Sequence, residues 1–156
     1  MADDYPVVTY RAPWAHAIIY LGRDVDNRTW AAEYRGWHWV HQGKAVDPAA
    51  AHLVAGGSLT LGAIIGAARI TGVARASASP WAEPGLFQWE LADAVYLPRP
   101  LYLRGQQNFF RHPATLELPD PESLSAAPLA PPGAGAPAAA RRGAAVFSPD
   151  VRRHRA

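Results

Sequence analysis

The chain has 156 residues, a length that suits one domain with a sizeable core and is short for two. All six tryptophans precede residue 90, and Phe147 is the only aromatic residue after Phe110, so the core must come from roughly the first 118 residues. The lack of cysteine excludes disulfides, thiolate nucleophiles, iron–sulfur clusters and zinc ribbons. The net charge is +2, yet residues 121–156 alone carry +3, so residues 1–120 are near neutral and a case for nucleic acid depends on where the arginines lie.

The first predicted elements are a strand, a helix, a second strand and a second helix. β-Branched residues favour a strand over residues 5–10. Pro13 then opens a helix whose apolar residues recur at helical spacing until Gly22 ends it. An aromatic-rich strand is predicted over residues 36–42. A second helix is predicted over residues 47–54, where an Asp-Pro pair supplies the N-cap.

Strands dominate the second half of the predicted domain. Residues 63–73 form a long strand in which Gly66 and Gly72 predict bends or the close approach of another backbone. A further strand over residues 87–97 should be broken by the prolines that follow, and a last short strand is predicted over residues 115–118. Many short strands and only two helices predict the α+β class, as a small mixed β-barrel of five to six strands flanked by two or more helices.

Residues 119–156 form a Pro/Ala-rich tail that ends in a basic cluster over residues 151–155. The tail has no apolar periodicity and cannot offset the entropy of ordering itself, so we expect it to be disordered or extended. Its basic end is either a solvated terminus or a phosphate-attracting arm, and the tail could also hold a protein partner.

The location follows from what the sequence lacks. No apolar run approaches the roughly 20 residues that span a bilayer, and the acidic N-terminus does not resemble a signal peptide. We therefore expect a cytoplasmic protein without a membrane partner.

The segment between the first helix and Lys44 holds the densest set of polar side chains. If it is extended after Gly22, Asp24 and Asp26 face one side and Arg23 and Asn27 the other. Paired carboxylates suit Mg²⁺ or Mn²⁺, but no third carboxylate is near in sequence, so we assign no metal site.

These motifs, in this order, resemble the ASCH (activating signal cointegrator homology) domain, a branch of the PUA-like superfamily. The resemblance covers about residues 5–118. Its first part comprises a Pro-Trp-Ala helix, an Asn-Arg-Thr-Trp segment, a Tyr-Arg-Gly segment and a His-x-x-Lys pair, here at residues 13–15, 27–30, 34–36 and at His41 and Lys44. Its second part comprises a barrel strand, a Trp-containing strand and a Gly-x-Gln turn, here at residues 62–66, 87–91 and 105–110.

The resemblance implies a PUA-like barrel of five or six strands with a cleft, lined by the segment after the first helix, that holds RNA or a nucleobase. Members are RNA-binding modules or hydrolases, the latter being metal-assisted ribonucleases or amidohydrolases that remove an acyl group from a modified cytidine. The amidohydrolases depend on a lysine where this chain has Arg23, and a glutamate falls where it has Asp26. An arginine stays protonated, so it cannot act as a base but can bind phosphate bidentately. The substitution therefore favours binding over lysine-dependent hydrolysis.

We accordingly predict an RNA- or modified-nucleotide-binding cleft that opens to solvent. The competing interpretation is that Arg28 and Arg35 form internal ion pairs with Asp24, Asp26 or Glu33. In the same interpretation, the tryptophans pack in the core. The predicted ligand-binding residues are Arg23, Asp26, Asn27, Arg28 and Arg35 at the mouth, Trp30 and Trp81 as stacking platforms, and Lys44 and Gln106 at the rim.

The alternative function is a hydrolase acting on RNA or on acylated nucleosides. Asp26 or Glu90 would then be the base or a metal ligand, and His41 would assist. Such an enzyme would use Mg²⁺ or Mn²⁺ only as a nuclease, and no other cofactor is expected. His41 has a second interpretation as a hydrogen-bonded structural histidine on the face of Trp37 and Trp39.

Overall fold

A computed structural model describes residues 4–54 and 59–128, as a five-stranded sheet with one α-helix and two 3₁₀-helices. This confirms the α+β class and a sheet of five strands. The predicted tail from residue 129 onward, with its basic end, lies outside the described residues. In chain order the elements are β1 (Val7–Ala12), α1 (Trp14–Tyr20), β2 (Val25–Arg28), β3 (Gly36–Val46), a 3₁₀-helix (Pro48–Val54), β4 (Ala63–Ala74), β5 (Phe87–Tyr102) and a 3₁₀-helix (Pro121–Ser123).

The strands are ordered β1-β3-β4-β5-β2, with β1 parallel to β3 and every other neighbouring pair antiparallel. Across residues 4–54 and 59–128, no strand pairing joins the edge strands β1 and β2, so closure into a barrel stays a prediction. Successive residues alternate between two apolar clusters, because side chains point to opposite faces along a strand. Val8 and Val40 pack with α1 on one face, whereas Val7 and Trp39 pack with Phe110 on the other.

The helix α1 ends where the sequence predicts. Gly22 has a positive φ of 77°, a conformation that glycine adopts without strain just beyond a helix. The buried Asp47 accepts hydrogen bonds from the Trp14 indole at 3.1 Å and from the Ala49 amide at 3.0 Å, so it caps the next helix and ties it to α1. That predicted second helix is a 3₁₀-helix. In the part of the chain that is described, no helix is long and apolar enough to cross a membrane.

The pairing of β4 with β5 explains two features of the sequence. A Cβ atom on Gly66 would lie 2.3 Å from the Val95 carbonyl oxygen, which confirms the predicted close backbone approach. The prediction that β5 breaks at its prolines is wrong, because the strand runs on to Tyr102. The prolines lie in the unpaired stretch between Tyr96 and Leu101, where their missing N–H groups cost no ladder hydrogen bond.

Two predictions about the C-terminal part are wrong. Residues 115–118 do not form a strand, because a turn is closed there by the Leu116 amide donating to the Pro113 carbonyl at 3.0 Å. The chain from Pro121 to residue 128 is not a loose tail either. Pro121 and Ala127 are buried, and the Ser125 carbonyl accepts a hydrogen bond from the Tyr96 amide at 3.0 Å.

Candidate functional site

The predicted cleft after α1 is filled by its own side chains. Arg23 donates to Asp26 Oδ1 at 2.9 Å, and Arg28 Nε donates to Asp26 Oδ2 at 2.5 Å. All three residues are at most 2% exposed. The prediction that they line an open, solvent-filled hollow is therefore wrong, and the competing interpretation of an internal ion pair is confirmed for Arg28. We call Arg23, Asp26 and Arg28 the buried triad.

Aromatic rings enclose the buried triad. The Arg23 guanidinium lies 4.2 Å from the centre of the Trp14 ring, and that of Arg28 lies 5.1 Å from Tyr10 and 5.0 Å from Trp89. Moving charges out of water costs several kcal/mol per ion, so such groups need partners of opposite charge and good geometry. The Asp26 carboxylate between the two guanidiniums, with aromatic faces beside them, supplies such partners.

Asn27 and Trp81 are also structural rather than ligand-facing. Asn27 donates to the Trp81 carbonyl at 3.0 Å and accepts from the Glu83 amide at 2.9 Å. Trp81 is only 2% exposed, so its prediction as an exposed stacking platform is wrong. The Asn27 side-chain amide makes the hydrogen bonds that water would otherwise make to the backbone of the proline-flanked loop, so the loop can pack inward.

Trp30 and Arg35 lie at the surface side of this region. Trp30 is half-buried and packs edge-on against Trp89, with ring centres 4.7 Å apart. Arg35 is exposed and donates to the Ala32 and Tyr34 carbonyls at 2.7 and 3.0 Å. Arg35 forms no ion pair with a described carboxylate, so the predicted ion pair is absent, and a phosphate contact of Arg35 stays a prediction.

The two carboxylates predicted to share a face are separated. Asp24 is exposed and accepts a hydrogen bond from the Ser79 hydroxyl, whereas Asp26 is sealed in the buried triad. Within residues 4–54 and 59–128, no group of three or more His, Cys, Asp or Glu side chains is placed to hold a metal ion.

A buried histidine borders the triad. His38 is fully buried, and its Nε2 lies 2.8 Å from the Tyr10 hydroxyl. Burial lowers the pKa of His38 to about 4, since a charged imidazole would lose its hydration. The Ala68 backbone and the negative charge of Asp26 oppose this shift, and the Arg28 charge adds to it.

An open groove lies elsewhere, where the ends of β1, β3 and β5 meet. Its volume is about 750 Å³, within the range of small-molecule and cofactor sites. It contains three of the predicted residues, His41, Lys44 and Gln106. We call it the basic groove, and its polar and aromatic lining residues are Thr9, Arg11, His41, Lys44, Tyr102, Arg104, Gln106 and Gln107.

Positive charge dominates the basic groove. Lys44 and Arg104 are exposed, and no ion pair with a described carboxylate engages either of them. Arg11 is half-buried and donates to the Val46 carbonyl at 3.0 Å. No carboxylate side chain from the described residues lines the groove. Three cations on one concave surface therefore present a site for an anion.

Thr9 and His41 form a hydrogen-bonded pair in the groove wall. His41 Nε2 lies 2.8 Å from the Leu103 carbonyl oxygen, which can only accept, so Nε2 carries the proton. Burial lowers the pKa of His41, while hydrogen bonds to the Leu103 and Gly62 backbone oppose the shift. In the neutral ring Nδ1 is an acceptor, and the Thr9 hydroxyl donates to it at 3.2 Å.

Sequence reasoning missed Arg11, Tyr102 and Arg104. These residues come from two distant parts of the chain, and no local motif joins them. One signal was present: Tyr102 and Arg104 are two positions apart, at the end of β5 and just beyond it, and this spacing puts both side chains on one side of an extended chain.

Comparison of the chain with protein-family models and with curated proteins gives no match in either case. The ASCH resemblance therefore rests on the motifs themselves.

Proposed function

We propose that this chain is an ASCH-type, PUA-like domain of the cytoplasm that binds RNA or a nucleotide in the basic groove. The observation that carries the proposal is the convergence of Arg11, Lys44 and Arg104 on one open surface without a described acidic residue. The binding site differs from the cleft that the sequence indicated, because the buried triad occupies that position.

The chemistry of the groove suits phosphate. Arg104 presents a planar fork of donors that matches phosphate oxygens, and Lys44 supplies a compact charge on a flexible stem. Each such contact releases counterions from a nucleic acid, so binding should weaken steeply as salt increases. The exposed amides of Gln106 and Gln107 add donors and acceptors beside the cations.

The test is the affinity of the full chain for a fluorescently labelled 12-nucleotide RNA without self-complementarity, measured by anisotropy at several salt concentrations. The double variant Lys44→Ala/Arg104→Ala should bind at least tenfold more weakly. The slope of log affinity against log salt should fall by roughly 0.7 for each lost phosphate contact.

Arg75→Ala is the matched control, because Arg75 is exposed and follows the far end of β4 from the groove. It should bind like the wild-type chain. If the double variant and the control bind RNA equally well, the groove is not the binding site and the basic tail becomes the candidate.

A hydrolase is the second candidate function, and the observation that favours it is the Thr9–His41 pair. A neutral imidazole that accepts a hydroxyl proton is the arrangement that activates a nucleophile. Asp26 takes no part in this hydrolase site, because both of its carboxylate oxygens are engaged in the buried triad.

Incubation with RNA, with and without Mn²⁺, and with an acylated cytidine tests this second function. Product that is lost in Thr9→Val, a variant of similar volume without the hydroxyl, would support it. Intact substrate after incubation with the wild-type chain would leave binding as the function.

A further inference from the structure

Tyr102 stands apart from the other aromatic residues. It is 68% exposed, and every other aromatic side chain among the described residues is buried or half-buried. It is the last residue of β5, where it pairs with Ala63 of β4. Its ring therefore lies at the rim of the sheet and lines the basic groove.

Cations line the same groove as the exposed ring. The stem of Lys44 crosses over Gly62, since a Cβ atom on that glycine would lie 2.9 Å from Lys44 Cε. Lys44, Gly62 and Tyr102 all line the basic groove, so the lysine stem and the tyrosine ring lie on the same concave surface. Arg104 follows Tyr102 by two residues and lines the same groove. An exposed aromatic ring and two exposed cations in one groove suit a flat group that carries anions beside it.

We propose that the ligand of the basic groove is single-stranded RNA, with one base stacked on Tyr102 and its flanking phosphates at Lys44 and Arg104. This inference rests on the proposed function and narrows its ligand. An aromatic ring stacks on any base, because every base has a π face, and the cations hold the backbone on either side. The stacking platform is thus Tyr102, in place of the tryptophans that the sequence indicated.

The same geometry disfavours a duplex. In a double helix each base is already covered on both faces by its neighbours, so an internal base reaches a protein ring only if it is flipped out, at a cost in stacking and pairing. An A-form helix presents mainly phosphates and 2′-hydroxyls to a protein, and an aromatic ring such as that of Tyr102 cannot stack on these groups. A duplex could use Lys44 and Arg104 but would leave the tyrosine ring uncovered.

The experiment compares the 12-nucleotide RNA with the same strand annealed to its complement, using the full chain at one low salt concentration. The single strand should bind at least tenfold more tightly than the duplex. Tyr102→Ala should weaken single-strand binding roughly ten- to a hundredfold and leave duplex binding within twofold. Tyr102→Phe, which keeps the ring and loses the hydroxyl, should stay within about twofold of the wild-type chain.

Phe87→Ala is the matched aromatic control. Phe87 begins β5 as Tyr102 ends it, it is half-buried, and the Arg75 guanidinium lies 4.3 Å from its ring centre. This control should bind single-stranded RNA normally. Because Tyr102 is exposed, its variants should unfold at the wild-type temperature, which circular dichroism checks.

The outcomes separate the two proposals. Equal affinity for strand and duplex, unchanged by Tyr102→Ala but reduced by Lys44→Ala/Arg104→Ala, would overturn the single-strand inference and keep the groove as a phosphate site. Binding that neither set of variants alters, or no binding by the wild-type chain, would overturn both. A selective loss in Tyr102→Ala for the single strand supports the inference.

Discussion

The buried triad and the basic groove both contain cationic side chains, but they differ in whether an acid lies beside those cations. In the triad, one carboxylate is held between Arg23 and Arg28, and aromatic rings exclude water. In the groove, Arg104 and Lys44 stand in solvent with no described carboxylate paired to them. Whether a guanidinium is engaged within the fold or left open to solvent therefore depends on its burial and on the acid beside it, and not on the motif that contains it.

The largest expected effect is on the triad. Asp26→Asn keeps the size of the side chain but removes the negative charge between two buried cations. Breaking a buried ion pair in this way should lower the free energy of unfolding by about 3–5 kcal/mol. Urea denaturation at neutral pH measures it.

The matched control is the surface pair between Arg69 and Asp93, whose closest atoms are 3.0 Å apart and whose side chains are about half exposed. Asp93→Asn should cost at most about 1 kcal/mol, since water screens the pair. Equal losses from Asp26→Asn and Asp93→Asn would remove the distinction between the two regions.

The second largest effect is a pH dependence of the free energy of unfolding, caused by His38 beside the buried triad. In the unfolded chain His38 takes up a proton near its ordinary pKa of 6.5, whereas in the folded chain burial lowers that pKa to about 4. Between these values the unfolded state binds more protons, so stability is fully present above pH 6.5 and falls as the pH decreases towards 4. The free energy of unfolding should drop by about 2 kcal/mol from pH 7.5 to pH 5 on account of this group.

Urea denaturation of the wild-type chain and of His38→Gln at both pH values isolates this contribution. The variant should show a smaller loss than the wild-type chain by about that amount. An identical pH dependence in both would show that His38 does not govern the acid sensitivity of the buried region.

The smallest effect is expected at Arg35, which the sequence placed beside the triad arginines. It is exposed, lies outside the groove lining and is held by two backbone carbonyls. Arg35→Ala should change RNA affinity less than twofold and the free energy of unfolding by at most about 1 kcal/mol. A loss of affinity equal to that of the groove variants would extend the binding surface to Arg35.

Much of the fold was predictable because its signals are local. The glycine that ends α1, the Asp-Pro cap and the β-branched runs each act through neighbouring residues. The continuation of β5 past its prolines was not predictable, since it depends on which partner positions on β4 go unpaired. The packing of residues 121–128 was missed for a related reason. The Ser125 carbonyl accepts its hydrogen bond from the Tyr96 amide, which lies far away in sequence.

The site was harder to predict because burial is decided by distant parts of the chain. The segment that holds Arg23 and Asp26 is dense in polar groups and matches the pattern of a cleft. Nothing in it indicates that Tyr10, Trp14 and Trp89 close over it. Of the residues that line the observed groove, the resemblance supplied His41, Lys44 and Gln106, whose motifs lie near the ends of β3 and β5.

The short segment from Pro121 to residue 128 bears on any attempt to study the tail by deletion. A chain cut at residue 118 would lose the buried Pro121 and Ala127 and leave the Tyr96 amide without the Ser125 carbonyl. If this truncated chain failed to bind a partner protein, the failure would reflect damage to the sheet and not the absence of the tail. Deletions that remove only residues after 128 keep these contacts. Effects of such deletions can be assigned to the Pro/Ala-rich sequence.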